Sequence, residues 1–419
     1  MTFRTLVLRS ALALIAAAAL GGTALAASDA PTQTRVSARS VGVDRVDLGD
    51  VSIGYEDGLL ASRYAREQPA AVTGGGDPAK AGESRSKGAS FLKTIQNKDG
   101  GWGAGDWGQA NDAAASDVAT ASMVLLALHR DANGSDVHQA AIVKGVQYVL
   151  GAIASAPRDS AKVTTPEGTQ PQRKLGALVD THMAAMMLSE VIGTLDDETN
   201  LAMDKGFGQV IAKVQLAQRA DGSFDGDGWA PVLSNSIAAT SLMRAEDKGL
   251  AVDARVLDRS EKYQAAQVSE DGTVDTSTGA GVDLYAVAGS LRTNSMAGKR
   301  DKSGNKAASA TATRAATGRV AADSDRLMAG FGSIGGEEML GYMMISDSLA
   351  EEGGEQWTTW ENKVGAYLVG IQNNDGSWVG HHCITSRTFT TAAAVMALGS
   401  GDWADRQASN KATPGPSKG

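Results

Sequence analysis

The chain has 419 residues, of which 39 are Lys or Arg and 48 are Asp or Glu, and its formal net charge at pH 7 is −9. This acidic balance argues against nucleic acid or an anionic membrane surface as a partner. The single cysteine cannot form an internal disulfide, so an exported chain must bury this thiol, give it to a metal, or risk pairing with a second chain.

Residues 1–26 are predicted to be a secretory signal. Arg4 and Arg9 precede or flank an apolar run over 11–20, and Ala24-Leu25-Ala26 offers a small-residue cleavage site. No later segment of the sequence has the roughly 18 uninterrupted apolar residues of a membrane-spanning helix. We therefore expect a secreted or periplasmic protein without a membrane span. Residues 27–83 are expected to form an N-terminal extension, to which the sequence assigns no function.

Asp-Gly turns recur along the rest of the chain. Their spacing is close to multiples of one unit of about 50–60 residues, a length that suits a pair of helices better than a propeller blade. The turns are at Asp99-Gly100, Asp221-Gly222, Asp271-Gly272 and Asp375-Gly376.

Two kinds of helix are predicted to alternate with these turns. The first kind is amphipathic and carries a charged face, at 84–97, 137–154, 200–219, 254–268 and 356–372. The second kind is rich in Ala, Met, Leu and Ser, at 117–129, 180–192, 235–245, 283–291, 337–347 and 387–399. A helix that is apolar nearly all round must be buried, whereas a helix with a charged stripe can face water. The sequence therefore predicts an all-α fold, an α6/α6 toroid of alternating outer and inner helices over 84–403.

The remaining segments are predicted from their composition. A flexible insertion is expected at about 296–325, because 299–319 is rich in Lys, Ala, Ser and Thr, and a disordered tail is expected at 404–419. Lys93, Lys213 and Glu261 on the outer helices should face water. Large side chains of the inner helices should be buried around one axis, namely Met123, Leu126, Met186, Met187, Met343 and Met396.

A Gln-x-x-x-Gly-x-Trp pattern occurs at 372–378 and, imperfectly, at 96–102. It resembles the repeat of the squalene cyclase and protein prenyltransferase β-subunit superfamily, and the resemblance covers about 84–400. It implies an α/α toroid whose central cavity binds isoprenoids, so an apolar or isoprenoid-like small molecule is an expected partner. Related rings also serve as thioester domains of complement-like proteins and as secreted polysaccharide lyases and hydrolases, so the fold does not decide the function.

A zinc site is predicted at the mouth of the ring where the inner helices begin. Asp180-Thr181-His182 is similar to the Asp-x-Cys zinc pair of protein prenyltransferases, with His in place of Cys. In that family a histidine on the last inner helix completes the site, whereas the matching stretch here, 389–391, has none. The loop just before that helix is expected to supply the missing ligands, so that the metal residues are Asp180, His182, His381, His382 and Cys383.

A less specific interpretation exists for most of these residues. Asp117 and Asn235 are typical helix caps, adjacent histidines cannot easily bind one ion together, and a cysteine among alanines is often a small buried apolar residue. The same mouth also gathers candidate catalytic side chains for acid/base chemistry, namely Asp283, Tyr285, Glu337 and Glu338. No other cofactor is expected.

Three functions follow as alternatives. The first is a metal-dependent enzyme. The second is a non-catalytic toroid that binds an apolar ligand or a partner protein, and the third is a secreted polysaccharide lyase or hydrolase. A proton-initiated terpene cyclase is disfavoured, since the chain has no Asp-x-Asp-Asp sequence, and a thioester is excluded, since it has no Gly-Cys-Gly-Glu-Gln sequence.

Overall fold

The computed structural model describes residues 77–106, 114–224 and 227–412. The predicted signal and most of the predicted extension lie outside the described residues, as does 413–419. The described part contains no β-strand beyond isolated bridges. In chain order its helices are α1 (Pro78–Thr94), α2 (Val118–Ala132), α3 (Gln139–Ser155), α4 (Gln170–Leu175), α5 (Val179–Val191), α6 (Asp197–Ala217), α7 (Pro231–Asp247), α8 (Ala254–Ala265), α9 (Asp283–Ala297), α10 (Lys306–Met328), α11 (Gly336–Glu352), α12 (Gly354–Gly370), α13 (Arg387–Leu398) and α14 (Ser400–Ala412).

The inner helices pack against one another in a closed circuit. Helix α2 packs on α5, and the contacts continue through α7, α9, α11 and α13 until α13 returns to α2. Nearly every side chain of these helices is buried, because they carry apolar and small residues on all faces. Helices α1, α3, α6, α8, α10 and α12 pack around them and bury mainly one face. The predicted all-α toroid is confirmed.

Hydrogen bonds from a glutamine explain the Gln-x-x-x-Gly-x-Trp pattern. The Gln96 side-chain amide donates to the Gly100 carbonyl of its own turn at 2.7 Å and to the Ala141 carbonyl of the next outer helix at 2.9 Å. Gln218 makes the same two kinds of bond, to Gly222 and Val256. Each glutamine therefore joins one outer helix, through its turn, to the following one.

Tryptophan completes this arrangement at two of the turns. The Trp102 indole N–H donates to the Leu92 carbonyl at 2.8 Å, and the Trp378 indole N–H donates to the Leu368 carbonyl at 2.9 Å. Both indoles are buried, so each turn is sealed against the preceding outer helix. A buried tryptophan that finds a partner for its N–H contributes a large apolar area without leaving a polar group unsatisfied.

A helix occupies most of the segment that we expected to be a flexible insertion at 296–325. Helix α10 buries Ala312, Ala316 and Val320 and packs against α8, α9 and α11, with a kink at Asp323. Small side chains spaced four apart allow its backbone to approach α9 closely, so a helix with little apolar area still packs. The expectation of a flexible insertion is therefore corrected.

The C-terminal segment is also helical where the structure describes it. Helix α14 covers the first part of the expected disordered tail at 404–419, and its Trp403 is 1% exposed.

The expected burial of the inner methionines and of Leu126 is confirmed, and Lys93 is exposed. Lys213 and Glu261 were wrongly expected to face water. Lys213 Nζ donates to the carbonyls of a covering loop at 157–160, and Glu261 pairs with Arg300.

Within the described residues, no helix is both long enough and apolar enough to cross a membrane.

Candidate metal centre

The start of α11 and the loop before α13 are joined by main-chain hydrogen bonds. The Gly336 N–H donates to the Ile384 carbonyl at 2.9 Å, and the His381 N–H donates to the Ile334 carbonyl at 2.6 Å. A Cβ at Gly336 would lie 2.7 Å from Ile384 Cγ2, so the two segments come together as closely as a glycine allows. This contact brings the first turn of α11 against the histidine and cysteine of the loop.

Glu337, His382 and Cys383 form a buried group at this contact. One ligand atom from each, a carboxylate oxygen, a ring nitrogen and the sulfur, lie within 4.8 Å of one another. His382 Nδ1 is 3.6 Å from Glu337 Oε1, and it has no hydrogen-bond partner within the described part of the chain. An imidazole nitrogen that is buried and aimed at a carboxylate and a thiol is placed where a metal ligand would be.

The other ring nitrogen of His382 is engaged. Its Nε2 lies 3.0 Å from the Ser333 carbonyl oxygen and 3.3 Å from Glu338 Oε2. Glu338 also accepts from the Tyr285 hydroxyl, from the Phe331 N–H at 3.1 Å and from the Gly335 N–H at 2.8 Å. Both oxygens of the Glu338 carboxylate therefore accept hydrogen bonds that fix its orientation.

Backbone conformation at the cysteine supports a functional placement. Cys383 has φ of 52°, in the left-handed region that residues with a side chain rarely adopt. A conformation of this kind costs on the order of 1–2 kcal/mol relative to an ordinary one. Such residues occur preferentially at functional sites, where the surrounding contacts hold them in place. Here the conformation sets the direction of the thiol relative to His382.

Burial and charge set the protonation states of the group. Burial raises the pKa of the Cys383 thiol to about 12, and the Glu337 charge adds to this, while His382 and Lys174 act in the opposite direction. Burial and the neighbouring Glu338 charge raise the pKa of Glu337. Burial would lower the pKa of His382, but the Glu338 carboxylate and Cys383 together outweigh it and hold that pKa well above its ordinary value. All three shifts favour the protonated forms of Cys383, Glu337 and His382.

Three of the five predicted metal residues, Asp180, His182 and His381, lie outside this group. Asp180 Oδ1 accepts from the Ala119 N–H at 3.0 Å, and Asp180 Oδ2 accepts from the Gln172 amide at 2.8 Å. His182 Nδ1 lies 2.7 Å from Ser234 Oγ, and burial lowers the pKa of His182 to about 3. The structure therefore brings His382 and Cys383 together with Glu337 rather than with Asp180 and His182. His381 adjoins the group and is held through its main chain.

The predicted catalytic residues divide in the same way. Glu337, Glu338 and Tyr285 belong to the group around His382, whereas Asp283 forms ion pairs with Arg319 at 2.9 Å and with Arg326 at 3.3 Å. The sequence predicted an acid/base role for Glu337. It did not indicate that Glu337 is a metal ligand, because Glu337 lies 45 positions before His382. The signal that could have found it is the pair of carboxylates in the first turn of an inner helix.

Comparison with known proteins gives similarity of fold alone. No protein-family model matches the chain, and no curated protein matches it. Solved structures that match include variants of the type II terpene cyclase MstE from Scytonema. The complex with merosterolic acid A, its product, matches at 13% identity and a TM-score of 0.39, covering 84% of this chain and 97% of that one. The complex with geranylgeranyl dihydroxybenzoate, its substrate, matches at 13% identity and a TM-score of 0.38, with the same coverage.

The donor set of the group fits a metal ion of the zinc type. Zinc binds thiolate sulfur, imidazole nitrogen and carboxylate oxygen, and sites with three protein ligands keep a position for water or substrate. A metal-bound histidine commonly donates its second N–H to a carboxylate or a carbonyl, as His382 Nε2 does here. The residues present therefore match both the ligands and the surroundings of such a site.

Proposed function

We propose that the protein is a metal-dependent enzyme on a toroid scaffold, and that Glu337, His382 and Cys383 hold one zinc-type ion. The observation that carries this proposal is the convergence of three buried donor side chains: ligand atoms of Glu337, His382 and Cys383 lie within 4.8 Å of one another, and His382 Nδ1 is 3.6 Å from Glu337 Oε1. His138 and His182 also have a buried ring nitrogen without a hydrogen bond within the described residues, so the carboxylate and the thiol beside His382 are what point to an ion.

Charge balance supports the same proposal. A divalent ion binds a thiolate, a carboxylate and a neutral imidazole, so it takes Cys383, Glu337 and His382 in their deprotonated forms. Glu338 would remain an anion beside them, and the cation of Lys174 already acts on Cys383. Two positive charges of the ion and one of Lys174 then match three negative charges, and no net charge is buried.

An ion with three protein ligands supplies Lewis-acid chemistry, either by polarising an oxygen of the substrate or by activating a water, hydroxyl or thiol. The protein's own contribution is to exclude water, because all three ligands are buried, and to fix their directions. We further propose that the protein acts outside the cytoplasm, on the basis of residues 1–26.

Elemental analysis of the full chain, purified without a histidine tag and dialysed against zinc, tests the proposal. We expect about one zinc per chain, with retention lost in Cys383→Ser and Glu337→Gln. His138→Ala is the control, since His138 is buried against Asp131 elsewhere in the ring. His182→Ala separates the two ligand sets: the group around Cys383 predicts that zinc is retained, whereas the set expected from the sequence predicts its loss. A wild-type chain that retains no zinc contradicts the proposal.

A second proposed function is binding of an apolar, isoprenoid-like molecule inside the ring. The space for it lies nearer the C-terminal ends of the inner helices, where a cavity has room for about one water molecule, so its side chains must move apart to admit a ligand. The cavity is lined by apolar and charged side chains and one hydroxyl, namely Met186, Ile237, Met343, Met344, Glu190, Arg244, Arg292, Asp347 and Thr240. Calorimetric titration with farnesol tests it, and Met343→Lys should abolish binding. Equal binding by Met343→Lys and the wild type would exclude this cavity as the site.

A further inference from the structure

The contacts around Glu338 extend the proposed metal site, on which this inference rests, to residues that are not ligands. We propose that Glu338 and Tyr285 are positioning residues, which hold the His382 ring so that Nδ1 faces Glu337 and Cys383 and stays free to bind the ion.

The first step concerns which nitrogen of His382 carries hydrogen. Its Nε2 faces the Ser333 carbonyl at 3.0 Å and Glu338 Oε2 at 3.3 Å. A carbonyl oxygen and a carboxylate only accept hydrogen bonds, so Nε2 must be the protonated nitrogen of the neutral ring. Its Nδ1 then has a lone pair, which points to the side where Glu337 lies. Glu338 therefore selects the tautomer that can bind a metal through Nδ1.

The second step concerns what holds Glu338. Its Oε1 accepts from the Tyr285 hydroxyl and the Phe331 N–H, and its Oε2 accepts from the Gly335 N–H. A Cβ at Gly330 would lie 2.5 Å from Glu338 Cγ, so the glycine lets the main chain pass close beside this side chain. Capping of α11 needs only the bond from Gly335. The additional donors fix the carboxylate in the orientation that meets His382.

The third step concerns Tyr285. It lies on α9, which contributes no residue to the group of three, and it is 2% exposed. Burial and the neighbouring carboxylates raise the pKa of Tyr285 well above its ordinary value, so its hydroxyl remains a donor. Its hydroxyl contacts Glu338, and Glu338 contacts His382, so α9 is linked to the site through these two residues. Tyr285 thus acts on the metal through Glu338 and His382.

Two substitutions test the inference, with zinc affinity measured by competition with a chelator. Tyr285→Phe removes only a hydroxyl, and Glu338→Gln keeps the size of the side chain while offering an N–H to Nε2. Loss of such supporting contacts commonly lowers metal affinity by about 10–100-fold. We expect losses in that range, together with an altered sulfur-to-metal absorption band in the cobalt-substituted variants and a changed ¹⁵N spectrum for His382.

Tyr342→Phe is the matched control. Tyr342 is also a buried tyrosine beside this site, on α11, and its hydroxyl donates to the Met328 carbonyl instead. A merely structural role for Tyr285 would lower the melting temperature in both Phe variants and leave zinc affinity and both spectra unchanged. Wild-type zinc binding together with unchanged affinity in Tyr285→Phe and Glu338→Gln overturns this inference alone. Absence of zinc binding by the wild type overturns the proposed function and the inference with it.

Discussion

Arg130 and Asp347 lie 217 positions apart in the sequence and form a two-point ion pair at the C-terminal ends of α2 and α11. The nitrogen–oxygen distances are 2.8 Å and 3.0 Å. Arg130 also pairs with Glu190, and its guanidinium lies 4.5 Å from the centre of the Trp403 ring. Because all of these side chains are buried, the end of the ring opposite the proposed metal site is closed by a charged network around one indole.

The first prediction concerns this ion pair. Asp347→Ala leaves the Arg130 guanidinium buried with one carboxylate partner fewer, so the free energy of unfolding should fall by about 3–5 kcal/mol. Urea titration of the full chain measures it. Glu167→Ala is the control, because Glu167 pairs with Lys162 on the surface, where such pairs contribute about 0–1 kcal/mol. Losses of similar size in the two variants would show that the Arg130–Asp347 pair contributes no more to stability than a surface pair.

The second prediction concerns the Asp-Gly turns. Gly376 and Gly272 have nearly equal positive φ, 88° and 82°, so alanine at either position meets the same backbone strain. A Cβ at Gly376 would also lie 2.6 Å from the Lys87 carbonyl oxygen of α1, whereas a Cβ at Gly272 would meet nothing within 4 Å. Overpacking of this kind costs typically about 1–3 kcal/mol. Gly376→Ala should therefore lower the free energy of unfolding by that much more than Gly272→Ala.

Equal losses in a urea titration would show that Gly376 and α1 are not in close contact. The comparison tests ring closure directly, because the Gln372 amide beside this turn donates to the Ser84 carbonyl of α1, 288 positions earlier.

The sequence predicted most of the helices because the burial of a helix determines its composition. Inner helices with apolar residues all round and Trp-sealed turns leave local signals that need no knowledge of neighbours. Helix α10 leaves no such signal. Its buried face is made of Ala312, Ala316 and Val320, and these residues form a packed face only because α9 approaches closely. The burial of Glu261 likewise depends on Arg300, which comes from a different segment.

The candidate site was predictable only in part, for a related reason. His382 and Cys383 attract attention as neighbours in the sequence, but Glu337 joins them only through the contact between the start of α11 and the loop before α13. Asp180 and His182 look like ligands because they are adjacent, yet each has other partners in the structure. Local spacing identifies candidate side chains, and the packing of the ring decides which of them meet.

The third prediction concerns the pH dependence of stability. Burial and the Asp180 charge raise the pKa of Asp117 to about 7 in the folded protein, against about 4 in an unfolded chain. Between about pH 4 and pH 7 the folded protein therefore binds a proton that the unfolded chain has lost, and stability falls as pH rises through this window. Each unit of pKa difference corresponds to about 1.4 kcal/mol. Asp117→Asn should reduce the fall in melting temperature between pH 4.5 and pH 7.5.

Asp253→Asn is the control for this experiment. Asp253 is also a helix-capping aspartate, and its hydrogen bonds to Arg255 lower its pKa to about 2. Its carboxylate is ionised in both the folded and the unfolded states between pH 4.5 and pH 7.5, so the slope in that window should not change. An unchanged slope in Asp117→Asn would show that Asp117 does not hold this proton.

The fourth prediction concerns Phe331, which covers the proposed metal site. Its ring centre lies 5.3 Å from that of His382, and it belongs to the segment between α10 and α11 whose Ser333 carbonyl faces His382 Nε2. Contacts between aromatic rings contribute about 0.5–1.5 kcal/mol, which corresponds to roughly two- to tenfold in a rate constant. Phe331→Ala should therefore release zinc to an excess of chelator roughly two- to tenfold faster, because the cover opens more readily while the ligands stay in place.

Stopped-flow absorbance measures the rate of zinc release. The control is Met328→Ala, which changes a nearby partly buried side chain on α10. If both variants release zinc at the wild-type rate, Phe331 does not limit access to the ion, and the path to the site must lie elsewhere around Cys383.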